Sequence, residues 1–158
     1  MSVAFEGSAR TLLLLHSVVG FAAVFTVTHH AVSALSSAMG RPVQRQLQRF
    51  GWMAPATLVL QGLFGLALYP TYRVRVRFAD LERTAPRVVQ LFDLKEHLSA
   101  LALAVVVAAA LAGRALPSVA PAAEARSIAA LSGCGAALVW SAALIGLYVT
   151  ARHPVGAP

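Results

Sequence analysis

Four long apolar stretches, separated by short clusters of arginine, leave this chain few ways to fold. They run over about residues 11–35, 50–69, 94–113 and 127–150, the second closed by Pro70. Each has roughly the 20 residues that cross about 30 Å of hydrocarbon at about 1.5 Å rise per residue. A helix satisfies its own backbone hydrogen bonds, as any segment crossing lipid must. The stretches are too long and too uniformly apolar for barrel strands. Composition agrees: 58% of the 158 residues are hydrophobic and 12% are charged, against about 25% charged in soluble domains. The expectation is an all-α membrane protein, a four-transmembrane-helix bundle that forms a single integral domain over residues 1–158.

The rival reading of the first stretch is a secretory signal, with Arg10 as its basic end and Val32-Ser33-Ala34 as a small-residue cleavage site. Three histidines and a span longer than a usual signal core favour an uncleaved helix. The net charge of +7 would suggest nucleic acid in a soluble protein. Here the arginines flank apolar segments, where they meet lipid phosphates and set topology, so no nucleic-acid partner is expected. The single cysteine, Cys134, excludes an intrachain disulfide, and its apolar surroundings argue against a reactive thiolate.

Four crossings place both termini and the 2–3 connection (70–93) on one side. Arg10, Arg73, Arg75, Arg77, Arg83, Arg87, Lys95 and Arg152 lie there, and Arg41, Arg45, Arg49, Arg114 and Arg126 lie on the other side. The excess leans toward cytoplasmic termini, in a bacterial inner membrane. In the 2–3 connection, Arg73, Arg75 and Arg77 alternate with Val74, Val76 and Phe78. A period of two predicts an extended segment with one basic and one apolar face, lying along the headgroups or simply solvated. Thr84 followed by Pro86 predicts a helix start near Ala85, with Thr84 as N-cap, so helix 3 extends at its N-terminal end beyond the hydrocarbon. Gly133, Ala137 and Ser141 on one face of segment 4, beside Cys134 and Gly135, and Gly62 and Gly65 on segment 2, predict tight helix packing. Trp52, Tyr69, Tyr72 and Tyr148 predict interfacial aromatics.

Ionisable groups inside a bilayer are costly and mark function by default. Segment 1 carries His16, His29 and His30. His30 lies about 40° from His16 around a helix, on a stripe with Gly20, Ala23 and Val27. A porphyrin needs an axial imidazole and small neighbours beside it. The spacing of His16 from His29 and His30 resembles the ligand spacing on helices of di-haem cytochromes b. The competing reading is small-residue packing with interfacial histidines. On segment 3, Arg87, Gln90, Asp93 and His97 form one polar stripe, and Asp93 stands four residues before His97.

His16 and His97 fall at similar depth near the side bearing the termini. The sharpest expectation is therefore haem b with His16 and His97 as axial ligands. Asp93 would be the carboxylate that orients His97. A weaker second haem would use His30 or His29, with Met53 as the only soft partner at that depth. An alternative metal site, zinc or copper, would combine His16, His97 and His153 with Asp93. The chain lacks a phosphate loop, Cys-x-x-Cys, H-E-x-x-H and a nucleophile elbow, so an enzyme acting alone is not expected.

Three functions follow as expectations. The first is a haem-binding electron carrier or membrane-anchor subunit of a redox complex, working with a quinone or partner subunits. The second is a cofactor-free structural or assembly subunit, with oligomerisation open. The third is a membrane metal-binding protein.

Overall fold

The computed structural model describes residues 3–117 and 121–152. A short 3-10 turn, Glu6–Ser8, leads into α1 (Ala9–Ala38). Next come α2 (Gln44–Thr71), α3 (Pro86–Ala115) and α4 (Ala122–Arg152). All four are long and apolar enough to cross a membrane, and no strand occurs among the described residues. The four expected stretches lie inside these helices, and α3 does begin well before the hydrocarbon, at Pro86.

The α1–α2 turn follows from its chemistry. Gly40 takes φ of +76°, its N–H donates to Ser37 O at 2.9 Å, and Arg41 N–H donates to Ser36 O at 3.1 Å. This pair of bonds closes a helix end and needs a residue free to enter left-handed space. Pro42 then prevents the helix from resuming.

Consecutive helices pack on each other, and α1 also packs on α4, so α1 and α3 stand on one diagonal of the bundle. Three clusters fill the interior. Val27, Ala54, Ala102, Val106 and Val139 form the middle. Ala34, Leu47, Leu116, Ala125 and Ile128 form the end opposite the termini. Tyr72, Val76, Leu81, Val88, Val89 and Val149 form the end that bears them.

The interior is built from small residues and the exterior from large ones. Ala23, Ala54 and Ala109 are fully buried, whereas Phe21 and Leu66 are 69% and 71% exposed. Water would invert that distribution. In lipid it is the expected one, because close backbone approach rather than hydrophobic burial holds the helices together. The chain is an integral membrane protein.

The 2–3 connection corrects the expectation of an extended segment. Helix α2 does not stop at Pro70. It runs on through a π-helical stretch, Tyr72–Leu81, and a last turn, Glu82–Thr84. Proline withholds one N–H and crowds the carbonyl four residues back. Directly beyond it the chain takes the wider i→i+5 turns. Buried Tyr72, Val76 and Leu81 are spaced by four and five residues, which keeps them on one face of such a turn. At 41 residues the continuous helix is about twice as long as the hydrocarbon is thick, so this part stands outside it. Thr84 does not cap α3: its hydroxyl donates back to Asp80 O at 3.1 Å and meets Asp80 Oδ1 at 2.9 Å. Ala85 occupies the cap position instead.

Candidate functional site

The polar side chains inside the bundle occupy three depths, and glycines on neighbouring helices make room for several of them. Nearest the termini, the Nδ1–H of His16 donates to the backbone carbonyl of Gln61 on α2 at 3.1 Å. A Cβ at Gly65 would meet the His16 ring at 3.4 Å. The Gln61 amide in turn lies where a Cβ on Gly20 would be, 3.0 Å from its Nε2. Lys95 reaches from α3 to α4, its Cε 3.2 Å from a Cβ at Gly146. Its ammonium sits 5.5 Å from the centre of the Phe92 ring. At mid-depth the Thr26 and Thr57 hydroxyls meet at 2.9 Å between α1 and α2.

Deeper still, His30 is 2% exposed and its Nε2 has no hydrogen-bond partner among the described residues. The ring crosses the bundle: a Cβ at Gly51 on α2 would be 3.6 Å from Nε2, and one at Gly113 on α3 would be 3.7 Å away. The Ser132 hydroxyl on α4 is likewise buried without a partner. His30 lies between Val27 and Ala34, and Ser132 between Ile128 and Val139, so both fall between the middle and far clusters.

A second network sits at the end bearing the termini. Arg77 donates to Asp93 through both terminal nitrogens, at 2.8 and 3.4 Å, and through Nε to Glu82 at 3.1 Å. Arg75 holds Glu6 at 2.7 Å, tying the N-terminal turn to the end of α2. Tyr72 stacks on Phe92 with ring centres 4.0 Å apart. Arg73, the third of the alternating arginines, lies over Phe78 at 5.5 Å.

The expected haem pair is not brought together. His16 turns toward α2, while His97 is exposed on the outside of α3, its Nδ1–H donating to the Asp93 carbonyl at 2.7 Å. The diagonal placement of α1 and α3 explains this: equal depth on two helices does not make their side chains face each other. The space beside Gly20, expected to admit a macrocycle, is filled by Gln61. Asp93 spends its carboxylate on Arg77 and offers His97 only its backbone. His29 also points outward, stacked on Phe50 at 5.0 Å. His153 lies outside the described residues, and among the described residues no three His, Cys, Asp or Glu groups gather closely enough to hold a metal ion.

Packing assignments change too. Gly65 is a contact glycine, but a Cβ on Gly62 or Gly133 would meet nothing within 4 Å. Of the residues expected to pack on α4, Gly135 does so against α3, where a Cβ would sit 2.8 Å from Val106 Cγ2. Gly133, Ala137 and Ser141 are exposed, and so is Cys134. Tyr72 is buried rather than interfacial, whereas Trp52 is exposed beneath the Arg114 guanidinium, 3.6 Å from the ring centre.

Gln61, Lys95, Thr26, Thr57 and Ser132 were not anticipated as interior polar groups. Gln61 carried a signal, as the one amide within an otherwise apolar stretch. Lys95 resembled an ordinary topology charge. No family model, curated protein or solved structure matches this chain.

Proposed function

We propose that this protein is a structural or assembly subunit of a larger membrane complex, packed against its partner through the outward faces of α3 and α4. One observation carries the reading: residues that usually face other protein in a membrane face outward here. Helix α4 presents Gly133, Ala137 and Ser141 one turn apart, beside Cys134, and α3 presents His97. Small residues at this spacing let another helix approach closely, and an ionisable ring facing lipid is costly unless something covers it. The proposed setting is a bacterial inner membrane with cytoplasmic termini, supported by the excess of basic residues at that end.

Cys134 is a built-in probe. Oxidative cross-linking in native membranes, followed by mass analysis, should give a species heavier than the 16.5 kDa chain, either a multiple of it or a conjugate with another polypeptide. Ala137→Leu should suppress that species. A monomer in membranes of the native host, unaffected by Ala137→Leu, would overturn the reading.

A redox anchor binding haem b and serving a quinone is the second reading. It is favoured by the Nδ1–H bonds of His16 and His97 to backbone carbonyls, the arrangement that presents Nε2 as the ligand atom in metal-bound histidines. In this reading each ring needs its second ligand from another chain. A reduced-minus-oxidised haem band lost in His97→Ala would support it, and a colourless complex from a haem-replete host would exclude it.

A further inference from the structure

The surface between α1 and α4, at the end opposite the termini, contains a groove of about 460 Å³, within the roughly 300–1,000 Å³ range of small-molecule sites. Ala31, Leu35 and Ala38 form one wall, and Ala129, Ala130 and Gly133 form the other. The groove exists because these side chains are small, and at Gly133 nothing fills the space within 4 Å of where a Cβ would sit. It opens toward lipid: Leu35 is 54% exposed at its edge.

Arg126 belongs to the same groove, seven residues or about 10 Å along α4 from Gly133, toward the membrane surface. Its Nε donates to the Ala122 carbonyl at 3.2 Å, which orients the guanidinium. Among the described residues no carboxylate lies within salt-bridge distance of it. The other charges at this end are Arg41, Arg45, Arg49, Arg114 and the single acid Glu124. Glu124 lies about 200° from Arg126 around the helix, and it lines a separate depression between α3 and α4. Two residue classes thus meet in one place: an apolar channel running into the membrane, and a cation at its surface end.

We infer that this groove binds an anionic phospholipid, with the phosphate against Arg126 and one acyl chain lying along the small residues toward Gly133. A zwitterionic lipid fits the channel equally well, but its own cation competes for the phosphate. The charge balance at this end therefore selects the acidic headgroup. The inference does not rest on the subunit reading, because it concerns the isolated chain and the groove between α1 and α4, which shares only Gly133 with the proposed partner face.

The test is native mass spectrometry of the full chain in detergent, titrated separately with phosphatidylglycerol, phosphatidylcholine and inorganic phosphate. Wild type should retain one phosphatidylglycerol in preference to phosphatidylcholine. Arg126→Gln should lower that preference roughly fivefold, whereas Arg41→Gln, outside the groove, should not. Gly133→Leu fills open space without touching the bundle interior and should remove the bound lipid of either kind. An unchanged melting profile checks that both variants fold. Equal retention of the two lipids overturns the inference. So does retention that survives Gly133→Leu, or displacement of the lipid by inorganic phosphate at equal concentration. A second copy of the chain in place of lipid would also overturn it.

Discussion

Gly135 and Gly62 show why identical residues in one membrane protein have different consequences. A methyl on Gly135 would press into Val106 at 2.8 Å, and Val106 is itself buried at 2% exposure, with little room to retreat. A methyl on Gly62 would point into open space. Gly135→Ala is therefore expected to lower stability by about 1–3 kcal/mol, the usual cost of overpacking. Gly62→Ala should stay within about 0.5 kcal/mol of wild type, as for substitutions away from packed features. Thermal unfolding of both variants in detergent micelles measures the difference, and equal midpoints would show that the α3–α4 approach is looser than described. The same reasoning explains the histidines. Whether an imidazole becomes a buried group or a surface one depends on the small residue opposite it. His30 has Gly51 and Gly113, His16 has Gly65, and His29 and His97 have no such space on a facing helix.

The element that sequence patterning misread is the stretch after Pro70. Alternation of arginine with Val74, Val76 and Phe78 is what an extended ribbon requires, yet it also fits a helix whose arginines go to different partners. Glu6 takes Arg75, and Asp93 with Glu82 takes Arg77, so the basic residues do not form one face. None of those pairings is local in sequence except Arg77 with Glu82, and no short-range pattern reports them. Removing Arg77 should release this element without unfolding the bundle, because the ion pairs are partly solvated and each contributes only about 0–1 kcal/mol. The expected outcome for Arg77→Ala is faster amide exchange across Tyr72–Leu81, by roughly fivefold, the equivalent of about 1 kcal/mol. Exchange in α1 and α4 should stay unchanged. Unaltered exchange in Tyr72–Leu81 would mean that its apolar face alone, Tyr72, Val76 and Leu81, holds it in place.

For the molecule as a whole, the connectivity makes a prediction independent of any cofactor or partner. In a Cys134→Ala background, Ser8→Cys and Arg83→Cys should react with a membrane-impermeant maleimide from one face, and Arg45→Cys from the other. With cytoplasmic termini, intact cells label only Arg45→Cys. Labelling of Ser8→Cys and Arg83→Cys from opposite faces would overturn the four-crossing arrangement itself.

The number of crossings, the apolar stretch at the heart of each and the early start of α3 at Pro86 were legible in the residues alone. Their cause is one-dimensional: a run of some 20 apolar residues has one stable use, and clusters of arginine punctuate it, whereas Pro70 did not end its helix. Which way each side chain faces was decided only by the tertiary structure. In water a helix declares its buried side by an apolar stripe, but in lipid both sides are apolar and the signal vanishes. Depth along the membrane can be counted from a sequence, which is why His16 and His97 were matched. Rotation about the helix axis and position around the bundle cannot be counted. The diagonal placement of α1 and α3 turned that pair into one ring against α2 and another facing outward, and left His30 as the histidine of the interior.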